Sequence, residues 1–185
     1  MAKRTCLRTN RLVLRSWRRS DVVPFDHACN TAEVMHWLGG VQTRADVARD
    51  VDYFRRSEQR DGFTFWVVER WDGAFLGFCG LLRIREKDCP FRNSVEIGWR
   101  IRSDAWRNGF AFEAATATLN HGFERLGMAL VVSRAAAGNV PSRRLMTKLG
   151  MRRRRELDYR PKGERKKLVV YSITADACHS AACRN

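Results

Sequence analysis

The feature that most constrains the fold is a strand pattern that leads directly into a long helix pattern. Residues 93–102 read NSVEIGWRIR, a strand-like alternation of apolar and other residues. A short turn with Gly109 follows, and residues 107–126 then carry apolar side chains at steps of four along one side. A strand joined to a helix in this way indicates an α/β fold.

The rest of the chain adds further strand and helix patterns. Helical patterns cover a broken stretch at 21–36, a helix from the N-cap Thr43 to about residue 60, and one that Pro141 opens and Gly150 closes. The order predicts a mixed sheet, antiparallel in its first part, of about seven strands flanked by about four helices. The other six strand-like runs are residues 11–17, 63–70, 74–85, 129–136, 151–159 and 167–173.

Composition and length indicate one globular domain. The chain has 185 residues, of which 44% are hydrophobic, and no Pro/Gly/Ser-rich linker or repeat divides it. No apolar run approaches the roughly 18 residues that a membrane span needs. The opening MAKRTCLRTN has basic residues without the apolar stretch of a signal peptide. These observations predict a cytoplasmic protein with no membrane partner.

The six cysteines do not form a ligand or disulfide pattern. No CxxC pair occurs, and Cys178 and Cys183 on either side of His179 make a weak case for a metal site. The sequence therefore predicts free thiols and no bound metal.

The basic charge points to an anionic partner. Thirty-five Lys and Arg against twenty Asp and Glu leave a net charge of +15. Residues 143–167 alone hold twelve basic and three acidic residues, a surplus of nine. Such a surplus is typical of proteins that bind nucleic acid, a CoA-type cofactor or an acidic protein, and a solvated basic face is the alternative. Within this segment, the predicted strand would send Arg152–Arg155 alternately to opposite faces.

The turn before the long helix is a candidate anion site. The first N–H groups of a helix have no internal partner and lie at the positive end of its dipole. A phosphate fits there, especially where a glycine such as Gly109 lets the backbone approach closely. The turn matches neither the P-loop nor the dinucleotide-binding glycine pattern. An ordinary strand–helix turn with a glycine is the alternative.

Two segments of the chain, residues 96–114 and 139–151, carry its most specific motifs. They contain EIGW at 96–99, WRNGFAFEA at 106–114, Asn139 with Ser142, and KLGM at 148–151. Together these motifs resemble the GCN5-related N-acetyltransferases (GNAT), and within them the RimJ/RimL-type ribosomal-protein N-acetyltransferases. That branch reads E-I-G-Y/W, W-G-K-G-Y-A-x-E-A, N-x-x-S and K-L-G-F/M. The likeness covers roughly residues 9–175, which predicts an acetyltransferase domain there, with tails at 1–8 and 176–185.

The resemblance implies acetyl-CoA as co-substrate and a sheet splayed between its fourth and fifth strands. Ile101 would pair its backbone with the pantetheine arm, Asn139 would contact that arm, and Ser142 would lie near the thioester sulfur. Glu96 and Ser142 are the implied catalytic residues. For Glu96, a structural strand-end carboxylate satisfied by an arginine is the alternative. Met146 stands where many members have a tyrosine, and Arg107 replaces the usual glycine of the branch. The loop implied to bind the pyrophosphate through its N–H groups consists of Trp106, Arg107, Asn108, Gly109, Phe110 and Ala111.

The acceptor is constrained by the chemistry of aminolysis. Freeing the lone pair of an α-amine with a pKa of about 7.8 costs about 1 kcal/mol at pH 7, against about 4.6 kcal/mol for a lysine. A site with Glu96 as the one candidate base and Met146 in place of the tyrosine favours an N-terminal α-amine, such as that of an acidic or ribosome-associated protein. Small amines and aminoacyl-tRNA are the alternative acceptors, and a non-catalytic nucleic-acid-binding protein is the alternative function. Both a monomer and a homodimer remain open.

Overall fold

The computed structural model describes residues 6–163 and 166–182, with side chains described as far as Cys178. Within these residues, eight strands form one sheet. The strands are β1 (Cys6–Arg8), β2 (Leu12–Arg15), β3 (Phe65–Arg70), β4 (Phe75–Arg83), β5 (Val95–Ile101), β6 (Leu130–Ala136), β7 (Arg152–Arg153) and β8 (Leu168–Thr174). The helices are α1 (Val22–Cys29), α2 (Ala32–Met35), α3 (Arg44–Asp61), α4 (Phe110–Asn120), α5 (Val140–Lys148) and α6 (Ala175–Ala182).

The sheet is mostly antiparallel, as predicted. Its strand order is β1-β2-β3-β4-β5-β6-β8-β7, and β5 with β6 is the parallel pair. The strand beyond the predicted seven is β1, which pairs with β2 from Cys6↔Arg15 to Arg8↔Val13. Three residues are too few for an alternation to be recognised in the sequence, and all of β1 lies in the segment predicted as a tail. The α/β fold class is confirmed.

The predicted splay lies between β5 and β6. These strands share one paired position, Glu96↔Val132. Beside it, the hydroxyl of Ser133 donates to the carbonyl of Ile97 at 2.9 Å, so a side chain replaces the next backbone contact. From there to Ile101, β5 has no paired residue on β6, and a gap opens in the sheet. We call this opening the sheet gap.

Helices cover the two faces of the sheet differently. On one face, α4 packs through Ala114, Ala115 and Leu119 into the core that includes Ile97 and Ile101. On the other face, α1 and α3 enclose an aromatic core; its buried members are Trp17, Phe25, Cys29, Val34, Val47, Val51, Phe54, Val67, Phe78 and Leu82. The side chains of β5 therefore alternate between the α4 face and the α1/α3 face.

The helix boundaries follow the capping residues. Thr43 caps α3 in the predicted capping box with Asp46. Pro141 lies in the first turn of α5, as expected from its fixed φ. The long helix pattern begins later than predicted, because residues 107–109 form a loop and α4 starts at Phe110. At its other end α4 continues into a π turn at His121–Arg125.

The predicted strand at 151–159 is wrong beyond residue 153, apart from an isolated bridge between Tyr159 and Leu168. Strand β7 covers Arg152–Arg153 alone, and a 3₁₀ turn follows at Arg155–Leu157. The turn returns the chain so that Asp158 accepts two hydrogen bonds from Arg153, at 2.5 and 2.6 Å. Arg154 pairs with Glu156 at 2.5 Å. Local ion pairs, not strand alternation, therefore orient these arginines.

The described residues contain no helix that is both long enough and apolar enough to cross a membrane. Nor do they contain a group of three or more His, Cys, Asp or Glu side chains arranged for a metal ion. Cys6, Cys29, Cys79, Cys89 and Cys178 are free thiols. Cys183 and the side chain of His179 lie outside the described residues.

Candidate active site

The loop between β5 and α4 presents a continuous run of backbone donors. Arg107 and Gly109 both adopt left-handed backbone conformations, with φ of 64° and 80°. The backbone N–H groups of residues 107–112 find no acceptor among the described residues, and the helical bonds begin with Glu113 N–H donating to Gly109 O at 3.0 Å. Six consecutive free donors at the positive end of a helix form a site for an anion such as a pyrophosphate. We call residues 106–111 the phosphate loop.

The side chain of Arg11, in the turn before β2, anchors this loop. The guanidinium of Arg11 donates from Nε to Glu113 at 2.7 Å and from Nη1 to the carbonyl of Asn108 at 3.0 Å, and it lies 4.6 Å from the ring centre of Phe110. The hydroxyl of Thr9 also donates to Glu113, at 2.5 Å. Partial burial acts to raise the pKa of Glu113, but these hydrogen bonds prevail and lower it below its ordinary value. The carboxylate therefore stays charged and holds Arg11 against the loop.

At the sheet gap, the edge of β5 that faces β6 is exposed. The amide of Arg102 donates to Leu76 on the β4 side, so alternation turns the backbone groups of Ile97, Trp99 and Ile101 towards β6. The carbonyl of Ile97 is taken by Ser133 and that of Ile101 by the indole of Trp106, at 2.6 Å. Trp99 and the N–H of Ile101 therefore remain to pair with an extended ligand.

The start of α5 brings the next two predicted residues together. Asn139 caps the helix, because its Oδ1 accepts from the N–H of Ser142 at 3.2 Å. Within the described part of the chain, neither Nδ2 of Asn139 nor Oγ of Ser142 has a hydrogen-bond partner, and both residues are partly exposed. Met146, one turn further on, is buried with 1% of its surface exposed and faces the core. Two polar groups are thus free on the exposed side of this helix start.

Glu96 lies where the sheet begins to split. It is 8% exposed, and both its carboxylate oxygens accept from Arg134, at 2.7 and 2.9 Å. The same guanidinium donates to Glu86 and to the hydroxyl of Tyr159, both at 2.5 Å. Burial raises the pKa of Glu96, although the hydrogen bonds from Arg134 act in the opposite direction. The carboxylate is therefore held through both oxygens by Arg134, which is the centre of a polar network with Glu86 and Tyr159.

Comparison with known proteins identifies the family. A sequence profile of the acetyltransferase (GNAT) domain matches residues 11–152 of the chain. The chain belongs to the GNAT acetyltransferases. Protein YkkB of Bacillus subtilis (strain 168) is 30% identical to this GNAT protein over 153 residues, which cover 82% of this chain and 87% of YkkB.

Solved structures share the fold. The GNAT-family acetyltransferase from Bacillus anthracis matches with a TM-score of 0.76 at 24% identity, covering 93% of this chain and 99% of that one. RimL, a ribosomal L7/L12 alpha-N-protein acetyltransferase in complex with coenzyme A, matches with a TM-score of 0.75 at 15% identity, covering 94% and 99%. The predicted GNAT membership is confirmed, whereas the RimJ/RimL branch stays a prediction.

This GNAT enzyme is an acyltransferase, and the acetyltransferases of its family use acetyl-CoA. In the phosphate loop, Arg107, Asn108 and Gly109 are exposed, whereas Phe110 and Ala111 are partly buried against the core. Trp106 is 41% exposed, and the amide of Asn108 donates to its carbonyl at 3.0 Å. The loop residues predicted from the family motif thus lie together at one helix start.

No role was assigned from the sequence to three residues that position the site, Arg11, Glu113 and Arg134. Arg11 and Glu113 both fall inside the segments that resemble the family, yet their contact spans 102 residues of sequence. The signal available was an acidic residue in the first turn of the long helix, a position that usually indicates only a favourable dipole interaction. Arg134, the partner of Glu96, was likewise hidden in an apolar strand pattern.

Arg107 carries the first mutational prediction. A side chain at positive φ costs about 1–2 kcal/mol, so Arg107→Gly should raise the free energy of unfolding by roughly 0.5–1 kcal/mol once the greater freedom of unfolded glycine is deducted. Loss of the exposed cation should weaken acetyl-CoA binding only a few-fold, and less at high salt. Urea unfolding and titration calorimetry measure both effects, with Arg107→Lys as a control that keeps strain and charge. A less stable Arg107→Gly variant would contradict the strained loop.

Proposed function

We propose that this enzyme transfers the acetyl group of acetyl-CoA to a protein N-terminal α-amine, by direct attack of the amine in a ternary complex. The observation that carries the proposal is the run of six unpartnered N–H groups beside the sheet gap. The run matches a pyrophosphate, and the gap matches an extended pantetheine arm. Direct attack is favoured because burial raises the pKa of the Cys29 and Cys79 thiols to about 12, which makes them poor nucleophiles at neutral pH.

The proposed binding mode assigns each free donor. N–H groups of residues 107–112 hold the phosphates, with Arg107 as an additional cation. Trp99 and the N–H of Ile101 pair with the pantetheine arm, and Nδ2 of Asn139 contacts it from the opposite side of the gap. A gap-facing N–H of β5 also serves as donor to the developing oxyanion. Since positioning two reactants contributes about 7–11 kcal/mol, alignment in this gap supplies much of the rate.

Glu96 is proposed to accept the amine proton through water. Direct contact is disfavoured because Arg134 engages both carboxylate oxygens. The pKa of Glu96, raised by burial, makes it a better proton acceptor than an exposed carboxylate. Protonation of Glu96 should then cause the acidic limb of the kcat/KM pH profile. If that limb is unchanged in Glu96→Gln, this role is contradicted.

Ser142 is proposed to donate to the departing thiolate, since its hydroxyl is free at the start of α5. Ser142→Ala should then lower kcat by about tenfold or more, with a smaller rise in the KM for acetyl-CoA. Steady-state kinetics with a peptide acceptor measures the split. Thr147→Ala, a hydroxyl on the same helix that already donates to Arg143 O at 3.1 Å, is the matched control. Weaker acetyl-CoA binding at unchanged kcat would make Ser142 a binding residue instead.

The acceptor is proposed to be a protein of the RimJ/RimL substrate class, acidic or ribosome-associated, met in the cytoplasm. RimL shares this fold and is named for acetylating a ribosomal protein. The exposed cations of Arg152, Arg155, Arg160 and Lys162 offer a steering surface for such a partner. Arg153 does not belong to this set, because it is bound to Asp158. Rates with a protein acceptor should fall with salt more steeply than rates with a neutral peptide, and equal salt dependence would contradict steering.

A screen of acceptor amines with a thiol-release assay tests the proposed function. Peptide α-amines should be acetylated faster than lysine side chains, polyamines and aminoglycosides, because the enzyme's net charge of +15 repels polycations. A faster small amine or aminoacyl-tRNA would move the enzyme to another acceptor class. Failure of acetyl-CoA to raise the melting temperature, with binding of nucleic acid instead, would favour a non-catalytic binding protein.

A further inference from the structure

Arg100 is a partly buried cation that the acetyl-CoA site does not use. It lies on β5 between Trp99 and Ile101, but its side chain projects to the opposite face from α4. There the guanidinium carbon lies 5.2 Å from the ring centre of Phe25 and 5.3 Å from that of Phe78. Both rings belong to the aromatic core that α1 and α3 enclose. Arg100 thus reaches the α1/α3 face at the level of the sheet gap.

The guanidinium lacks hydrogen-bond partners. Its Nε and Nη1 atoms are buried, and neither has an acceptor among the described residues. Nη2 is not among the buried unpartnered atoms, and no described acceptor binds it, so it reaches open space. Each of the two bidentate edges of a guanidinium therefore pairs one orphaned donor with this accessible nitrogen. A planar, two-oxygen acceptor such as a carboxylate can satisfy either edge.

The burial is unfavourable without such an acceptor. Desolvation lowers the pKa of Arg100 despite nearby Asp50 and Cys29, which act to raise it. The aromatic rings supply a cation–π attraction but no hydrogen bonds. Polar groups that are buried and orphaned are uncommon in folded proteins and call for a ligand or another explanation.

A second orphaned group lies in the loop before α3, beside Asp50, the carboxylate that also acts on Arg100. Gln42, which precedes α3, has its Oε1 buried without a donor, while its Nε2 donates to Asp50 at 3.1 Å. Its backbone is fixed by Asn30, whose Oδ1 accepts from Gln42 N–H at 2.8 Å. The α1/α3 face therefore offers unsatisfied donors on Arg100 and an unsatisfied acceptor on Gln42, next to the carboxylate of Asp50. This combination matches a ligand that carries both a carboxylate and an amine.

We propose that Arg100 binds a carboxylate of the acceptor and so selects amines that carry a carboxylate close by. This inference rests on the proposed function, since the phosphate loop lies towards α4 and leaves the α1/α3 face for the acceptor. The neighbouring N–H groups of Trp99 and Ile101 face the gap in which the thioester would lie. A carboxylate on Arg100 therefore places the attached amine beside the reacting carbonyl. The carboxylate comes either from a free amino acid or from an acidic residue near a peptide N-terminus.

Two matched pairs of acceptors test the proposal. L-Alanine against L-alaninamide changes the α-carboxylate, and Ser-Asp-amide against Ser-Asn-amide changes a side-chain carboxylate in a peptide. In at least one pair, the wild-type enzyme should favour the carboxylate by about tenfold to a hundredfold in kcat/KM, the range of a charge-assisted hydrogen bond. Arg100→Met should reduce that preference to less than about threefold and leave the rate with the amide acceptor nearly unchanged. The pair that shows this preference identifies whether the carboxylate comes from a free amino acid or from an acidic residue near a peptide N-terminus.

A second readout does not depend on turnover. With coenzyme A present, the favoured carboxylate acceptor should raise the melting temperature of the wild type and not that of Arg100→Met. The variant itself should melt no lower than the wild type, since it replaces a buried unpaired cation by an apolar side chain of similar length. The proposal would be overturned if the wild type showed no preference in kcat/KM for the carboxylate acceptor in either pair. It would also be overturned if Arg100→Met kept the wild-type preference. Loss of acetyl-CoA binding by the wild type would instead refute the proposed function, so the two failures are distinguishable.

Discussion

Replacement of Gly109 by glutamate is expected to abolish acetyl-CoA binding. The residue lies at the centre of the six free N–H groups, at φ 80° and ψ −1°. A carboxylate introduced there would compete for the donors that the phosphates need and would repel the phosphates themselves. A Cβ at this position would also lie 3.4 Å from Nη2 of Arg11, so the new acid could divert that anchor from Glu113. We expect no binding by calorimetry at acetyl-CoA concentrations that saturate the wild type.

The matched control is Gly62→Glu. Gly62 ends α3 with φ 80° and ψ −2°, nearly the same backbone conformation as Gly109, and its Cβ would meet nothing within 4 Å. Both variants therefore carry the same strain, about 1–2 kcal/mol, and the same change of charge. Only the variant at Gly109 should lose acetyl-CoA. Equal losses in both would indicate a general effect of strain or charge, and unchanged affinity in folded Gly109→Glu would remove the phosphate site from this loop.

Removal of the Arg134 guanidinium is expected to cause the largest loss of stability. Arg134→Met would leave the 8% exposed Glu96 carboxylate without its two donors. Breaking a buried ion pair from one side costs about 3–5 kcal/mol, because an uncompensated charge remains in the interior. Urea unfolding at pH 8 should show a loss of this size. The double variant Glu96→Gln/Arg134→Met, which removes both charges, should regain much of it.

The loss should also depend on pH. Burial raises the pKa of Glu96, so the folded state binds its proton more tightly than the unfolded chain does. Stability from this group therefore falls as pH rises from about 4.3, the unfolded value, through the folded pKa. Without Arg134 the folded pKa rises further, and the deficit relative to wild type should shrink between pH 8 and pH 5. A deficit that is independent of pH, or that persists in the double variant, would show that lost packing and not the orphaned charge is responsible.

Much of the fold was predictable because its signals are local. Strand alternation, the Thr43 capping box and the Pro141 helix start each occupy a few adjacent residues, and the structure has all three. The prediction of a strand at 151–159 was largely wrong, because the four arginines there have no hydrophobic periodicity that would fix them in a strand. Ion pairs of Arg153 with Asp158 and of Arg154 with Glu156 stabilise a turn instead. Strand β1 is too short to have a period of its own.

The candidate site was predictable only in part, for a physical reason. The phosphate loop, Asn139 and Ser142 belong to short motifs, and the structure shows free donors or hydroxyls at these positions. The contacts that hold the loop and Glu96 in place, by contrast, cannot be recognised from any short motif. Arg11 reaches Glu113 across 102 residues and Arg134 reaches Glu96 across 38, contacts that depend on sheet order and register. Likewise, an orphaned guanidinium such as Arg100 is recognised only after every neighbouring acceptor has been placed.

The most direct test of the account is an amide NMR titration of the ¹⁵N-labelled enzyme with acetyl-CoA. Phosphates bound at the start of α4 would accept hydrogen bonds from the free N–H groups, and such bonds shift amide proton resonances strongly. We expect the largest shifts on residues 107–112, followed by Trp99 and Ile101 at the sheet gap. Shifts centred instead on the basic residues Arg152–Arg154, with residues 107–112 unmoved, would contradict it.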